Sequence, residues 1–137
     1  MKHPTPINEE VFFDGRSLIS ETDTKGIITF VNRKFCEMSG YAKDEAIGQP
    51  HSLLRHPDMP KAAFEGMWKV IQDGKIWEGY VKNLRKDGKF YWVIVNIVPK
   101  KDLSGEIIGY IASRKVPERL RIQSIEKDYL NMLREEA

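Results

Sequence analysis

An α+β domain built on an antiparallel sheet is what this sequence predicts, and three observations carry that expectation. Short runs rich in Val, Ile, Phe and Tyr stand at the two ends of the first 115 residues, apolar residues recur at helical spacing between them, and Gly or Asp-Gly marks most boundaries. The resulting order is strand, strand, several helices, three strands and a terminal helix.

The elements follow in turn. Residues 1–16 hold two prolines in a polar mixture and then the apolar VFF, which predicts a flexible lead ending in a short docking element. SLISETD, TKG and IITFV give two strands around a tight turn ending at Gly26. Asn32 is placed to N-cap a helix bearing Phe35 and Met38 and stopped by Gly40, and KDEAIG adds one more short turn of helix ended by Gly48. After RHPDMP, the residues Phe64, Met67, Trp68 and Ile71 fall on one face of a longer helix closed by Gly74. WEGYVKNL, the turn RKDG, KFYWVIVNIVP, the break KKDLSGE and IIGYIASR supply three strands. Pro117 opens a final amphipathic helix over 116–137, whose Ile122, Ile125, Tyr129 and Met132 form a short seam suited to dimerisation.

Composition narrows the function. The chain of 137 residues is one domain long, and 41% hydrophobic with 31% charged residues describes a globular protein. No stretch approaches the ~20 apolar residues of a membrane span, and the polar start MKHPTPINEE has no secretory core, so a cytoplasmic protein is expected. The single cysteine, Cys36, excludes a disulfide framework and is expected to be a small buried hydrophobe. The 22 basic and 20 acidic residues are interspersed, which argues against nucleic acid.

Asp87-Gly88 favours a two-residue turn, which makes paired residue numbers sum to 175 and puts Asn83 opposite Trp92, Gly79 opposite Asn96 and Trp77 opposite Val98. Asn83 and Asn96 then share one apolar face with the strand glycine Gly79, and two buried amides call for partners such as the edge of a flavin, purine or pterin. Trp68, Trp77 or Trp92 is placed to border a flat ring. The other face, with Tyr80, Leu84, Tyr91, Val93, Val95 and Ile97, needs cover from the VFF segment, the last helix or a second subunit. In RHPDMP, Asp58 is placed to cap the following helix, and Arg55 and His56 add donors there. Two readings stand side by side: an anion site, or a capped helix with a local Arg55–Asp58 ion pair. A metal held by His51, His56 and Asp58 fits the spacing less well, and no nucleophile motif points to an enzyme.

The stretch from about Leu18 to Arg114 resembles a PAS domain. GQPHSLLRHPDMPKAAFEGMW, with W-x-G-x-V-K-N-x-R-K-x-G-x-x-Y-W-V, is similar to the flavin-binding PAS domain of bacterial aerotaxis and energy-taxis receptors. The resemblance implies a sensor domain over 17–115, with a five-stranded antiparallel sheet and short helices enclosing FAD. It also implies that Arg55, His56 and Asp58 serve FAD binding and that Asn32, Trp77, Asn83, Tyr91 and Asn96 surround the flavin, although Tyr91 falls on the opposite face by strand parity. His51 stands where photosensory relatives carry a reactive cysteine, so blue-light adduct chemistry is not expected. A redox or energy-state sensor passing its signal to a chemoreceptor-type partner, in cis or in trans, is thus expected, with a likeness to small proteins that pair with a membrane receptor; a homodimer is expected as well. A cofactor-free interaction module and a haem or small-ligand sensor are the alternatives.

Overall fold

A computed structural model describes residues 3–15 and 17–137; Met1, Lys2 and Arg16 of the expected N-terminal lead lie outside the described residues. The elements run β1 (Leu18–Thr22), β2 (Ile28–Val31), α1 (Arg33–Ser39), α2 (Lys43–Ala46), a 3-10 turn (His51–Leu54), α3 (Lys61–Gln72), β3 (Trp77–Leu84), β4 (Phe90–Lys101), β5 (Ile107–Lys115) and α4 (Arg119–Glu136). The five strands form one antiparallel sheet in the order β2-β1-β5-β4-β3. Asn32 caps α1 by accepting the amide of Phe35 at 2.9 Å, and Gly40 closes that helix at φ +80°, a conformation that costs a side chain dearly.

The β3–β4 hairpin departs from the expected register. Leu84 pairs with Phe90, Asn83 with Tyr91 and Trp77 with Ile97, so paired numbers sum to 174 and not 175. The Arg85 amide donates to the Lys89 carbonyl at 2.8 Å and the Gly88 amide to the Arg85 carbonyl at 2.9 Å, leaving a three-residue loop in which Gly88 takes φ +91°. Asp-Gly suits both turn types; here glycine occupies the left-handed position that ends a three-residue loop. The one-residue change leaves β3 where parity put it and turns β4 over. Tyr91, Val93, Val95 and Ile97 therefore share the inner face with Trp77, Val81 and Asn83, whereas Trp92 and Asn96 lie on the outer face.

Each face acquires its own cover. On the outer face Tyr80, Phe90 and Trp92 pack against Ile122, Ile125 and Tyr129 of α4, with the Trp92 and Tyr129 rings stacked at 6.4 Å. Ile122, Ile125 and Tyr129 of the α4 seam thus face its own sheet. Beyond the end of β5, the N-terminal segment extends the ladder beside β4, the Val11 amide donating to the Phe90 carbonyl at 2.8 Å and the Phe90 amide to that of Glu9 at 3.0 Å. The inner face meets α3 through Phe64, Met67, Trp68 and Ile71.

Gly88 carries two constraints at once, since a Cβ there would lie 2.3 Å from the Thr5 carbonyl oxygen as well as in a positive-φ conformation. Gly88→Ala is expected to lose at least ~1–2 kcal/mol of unfolding free energy in a denaturant titration. A wild-type midpoint in that variant would contradict the three-residue turn.

Candidate functional site: a cationic cavity under the sheet

Alternation along the strands decides which side chains look inward. Thr22 of β1, Trp77, Val81 and Asn83 of β3, Val95 and Ile97 of β4, and Tyr110, Ala112 and Arg114 of β5 line one wall of a cavity of about 310 Å³. Phe64, Met67, Trp68 and Ile71 of α3 form the opposite wall, and Lys25, Gly26, Pro50, His51, Ser52 and Arg55 complete the lining. The volume falls at the lower end of the range for small-molecule sites. Three cations, Lys25, Arg55 and Arg114, border the space and no carboxylate does.

Arg114 is the group that sequence reasoning missed. It is 2% exposed, yet its guanidinium bonds only neutral partners: the Ser20 hydroxyl at 3.0 Å, the Leu18 carbonyl at 3.4 Å and His51 Nε2 at 2.8 Å. Burial brings its pKa down to about 10, so it remains a cation. A guanidinium only donates, so Nε2 of His51 is the acceptor and the imidazole is neutral. Burial and then the charge of Arg114 drive the His51 pKa down to about 3. The signal available in the sequence was an arginine at inward parity in IIGYIASR, next to Tyr110 and Ala112.

Of the residues singled out from the sequence, Arg55, Trp68, Trp77, Asn83 and His51, the last named for a metal, line the cavity. Asn83 is 4% exposed, and Arg55 lays its guanidinium 4.5 Å from the centre of the Phe64 ring while bridging to the Asn83 backbone. Gly79 leaves room for the Trp77 indole and not for a ligand, because a Cβ there would lie 2.4 Å from that ring. Tyr91 is fully buried on the same inner face beneath the lining, with its hydroxyl beside the Asn83 side chain, and burial pushes its pKa up to about 12. Asn96, placed by the turn on the outer face opposite Glu78 and Ser113, does not reach the cavity. Trp92 is likewise an outer-face residue. Asn32 spends its side chain on the amides of Phe35 and Ile19 and the carbonyl of Ser17.

His56 and Asp58 also turn away from the cavity. His56 is 5% exposed, accepts the Asp58 amide at Nδ1 and sets its ring edge-on to Phe90 at 6.0 Å. Asp58 pairs with Lys82 at 2.7 Å, not with Arg55, and it does not cap α3. Burial of the Asp58 carboxyl acts against ionisation, but the hydrogen bond and charge of Lys82 outweigh it and hold the pKa below the usual value. The Lys82 ammonium also sits 4.3 Å from the centre of Phe90, and Met59 Sδ receives the Lys82 amide at 3.4 Å. RHPDMP therefore seals the outer edge of β3, with one of its three ionisable side chains, Arg55, facing the cavity. Among the described residues no cluster of three or more His, Cys, Asp or Glu is arranged to hold a metal.

A comparison with family models matches residues 28–114 to the PAS fold. The chain belongs to the PAS-fold family. This PAS domain is 45% identical, over 85% of its length, to the aerotaxis receptor of Escherichia coli strain K12, of which it covers 23%. It is 31% identical, over 71% of its length, to a nitrogen fixation regulatory protein of Klebsiella pneumoniae, of which it covers 20%. The chain thus spans about a quarter or less of the curated relatives it matches. Among solved structures, the PAS domain of a Colwellia psychrerythraea protein matches with a TM-score of 0.63 at 28% identity, covering 74% of this chain and 86% of that one. The light state of the blue-light photoreceptor Aureochrome1 LOV has the same fold, with a TM-score of 0.70 at 21% identity over 85% of this chain and 91% of that one. In this PAS domain the single cysteine, Cys36, is on α1 and outside the cavity lining. Among the described residues no helix is long and apolar enough to cross a membrane.

Two predictions concern the lining and its support. Asp58→Asn and Lys82→Met are each expected to destabilise the fold, and together to cost less than the sum, because each removes one half of the same ion pair; additive losses in a double-mutant cycle would mean the pair is not coupled. For His51 the sign follows from its depressed pKa. The unfolded chain binds the proton first, so stability is complete above about pH 6.5 and declines as pH falls toward about 3. Between pH 7 and 5 this is worth about 2 kcal/mol, and His51→Gln should flatten that part of the stability-against-pH curve.

Proposed function

We propose that this PAS domain binds FAD and senses redox or energy state through it. The observation that carries the proposal is the cavity lining: flat apolar walls from Trp68, Trp77, Phe64 and Met67, one buried amide at Asn83, and three cations without an acid. A neutral hydrocarbon ligand would leave Arg114 facing an apolar surface, whereas a planar heteroaromatic with an anionic tail matches both parts of the site.

When bound, a flavin supplies reversible one- or two-electron chemistry. The chain's own residues would do the rest. Asn83 would donate to and accept from the ring edge, Trp68 and Trp77 would flank the ring and exclude water, and Arg55 and Lys25 would attract the phosphates. Negative charge added at the ring by reduction would strengthen the pull on Arg114. That arginine is tied to Leu18 and Ser20 of β1, so a change in its position bears on the central β1–β5 pairing. Two redox states that interact differently with Arg114 satisfy the requirement for a population shift. The output would pass through the sheet and α4 to a chemoreceptor-type signalling partner, the role suggested by the likeness to an aerotaxis receptor, with a homodimer as the working assembly. The proposed role is sensory and not enzymatic.

Purified protein incubated with FAD is expected to retain a yellow flavin spectrum that bleaches reversibly on anaerobic dithionite titration. Arg114→Met is expected to lower the reduction potential by roughly 30 mV or more, about 1.4 kcal/mol for a two-electron couple. A protein that takes up no flavin, or a haem Soret band in place of one, would reject the proposal; an unchanged potential would remove Arg114 from it.

A further inference from the structure

The fold gives the Arg114 guanidinium hydrogen bonds but no counter-ion. Three of its five N–H groups, all on Nη1 and Nη2, go to the Leu18 carbonyl, the Ser20 hydroxyl and His51 Nε2. The Nε–H and one hydrogen of Nη1 are left without a hydrogen-bond partner among the described residues. The surroundings are uncharged as well. The Phe35 ring centre lies 5.5 Å from the guanidinium carbon, His51 is neutral, and burial keeps the proton on Tyr91.

Arg114 is nevertheless a lining residue of the cavity, and so is the buried amide of Asn83. The Tyr91 hydroxyl lies beside the Asn83 side chain and feels the charge of Arg114, so both polar groups belong to the part of the lining nearest Tyr91. The remaining walls are apolar and largely flat, with Phe64, Met67, Trp68 and Trp77 the broadest of them.

A buried cation among neutral acceptors is costly, and a carboxylate is the group a guanidinium fits best, through two parallel N–H···O bonds. The oxidised isoalloxazine ring is uncharged, so it would offer Arg114 acceptors and no counter-charge. A carboxylate brings the counter-charge itself, and an aromatic body brings the surface that the tryptophan faces call for. A space of about 310 Å³ holds a one- or two-ring acid whole. Acetate would answer the charge and leave the walls uncovered.

We infer that the cavity takes a second class of ligand, small aromatic carboxylates, with the carboxylate on Arg114 and the ring against Trp68 and Trp77. This second class does not depend on flavin binding, since it needs only the free donors of Arg114 and the apolar walls. Where a flavin also binds, the two draw on one lining, and each weakens the other by an equal factor. The acid is then a second input to the domain, opposed to flavin occupancy.

Naphthoate and its uncharged isostere naphthamide separate charge from shape. Their binding to the full chain would be measured by calorimetry at neutral pH, and methyl NMR would locate the bound acid. Naphthoate is expected to bind roughly tenfold or more tighter than naphthamide, and acetate more weakly than either. Arg114→Met should bring acid and amide to within roughly twofold of one another. Arg114→Lys, which keeps the charge and gives up the paired donors, should fall between. In the wild type, naphthoate should show intermolecular NOEs to the methyl groups of Val95, which pairs with Arg114, and of Ala112, both in the lining. That readout holds whether or not the variants fold. Equal wild-type affinities for acid and amide, or no contact with those two methyl-bearing residues, would overturn the second ligand class. So would a preference that survives Arg114→Met in a folded protein, or simultaneous binding of FAD and naphthoate.

Discussion

A β-strand cannot shift by one residue without exchanging its two faces, and in this domain the pairing of Leu84 with Phe90 is where that choice is made. The three-residue turn fixes it through the Arg85–Lys89 and Gly88–Arg85 hydrogen bonds. With that pairing, Tyr91, Val93, Val95 and Ile97 complete an inner wall, and Phe90, Trp92 and Ile94 make an outer wall apolar enough to hold α4. Slipped by one, β4 would bury Asn96 under α3 and present Val93 and Val95 to α4, with Trp92 crowding the cavity. The cavity and the docking of α4 are two outcomes of one turn, which is why a loop remote from the lining determines what the lining contains.

Much of the fold was legible because glycine and helical spacing are local signals. Gly26, Gly40, Gly48, Gly74 and Gly88 all take positive φ at the boundaries where the sequence put them. Asn83 was legible because the parity of β3 does not depend on the turn length, and Asn96 was misplaced because the parity of β4 does. Tyr91, which parity had set on the wrong side, returns to the inner face for the same reason. Arg114 escaped notice because a charged residue in a strand next to a polar break looks like a solvated end. Its parity with Tyr110 and Ala112 was the available signal, and its pairing with Val95 shows it to be interior.

The cluster RHPDMP divides its roles. Three ionisable residues between prolines suggested a ligand site or a helix cap; Asp58 does not cap α3, and His56 and Asp58 lie outside the cavity lining. β3 is an edge strand, and exposed edge groups need partners or cover. The loop turns at 57–58, with the Met59 amide donating to the His56 carbonyl at 3.0 Å, and lies against that edge. There Arg55 bridges to Asn83, Met59 receives the Lys82 amide, and Asp58 neutralises a lysine buried on the outer face. His56 and Asp58 therefore bear on the cavity at one remove: they hold the loop that holds Arg55. Sequence shows residue types gathered in a loop, but not which side of a strand edge each will take.

Charge balance ties these parts together. Burying an ion without a counter-ion is costly, and proteins usually avoid it by pairing or neutralisation. Asp58 and Lys82 follow that rule, and His51 follows it by giving up its proton. Arg114 does not, since a guanidinium keeps its charge even when burial lowers its pKa. The hydroxyl, carbonyl and imidazole around it take up three of its five donors and leave its charge uncompensated. A second cation, Arg55, also lines the cavity, with its guanidinium over the Phe64 ring. A space bordered by such cations favours a ligand that carries, or can acquire, negative charge. A ring that gains charge on reduction, joined to a tail that carries charge always, is one chemical solution to that field.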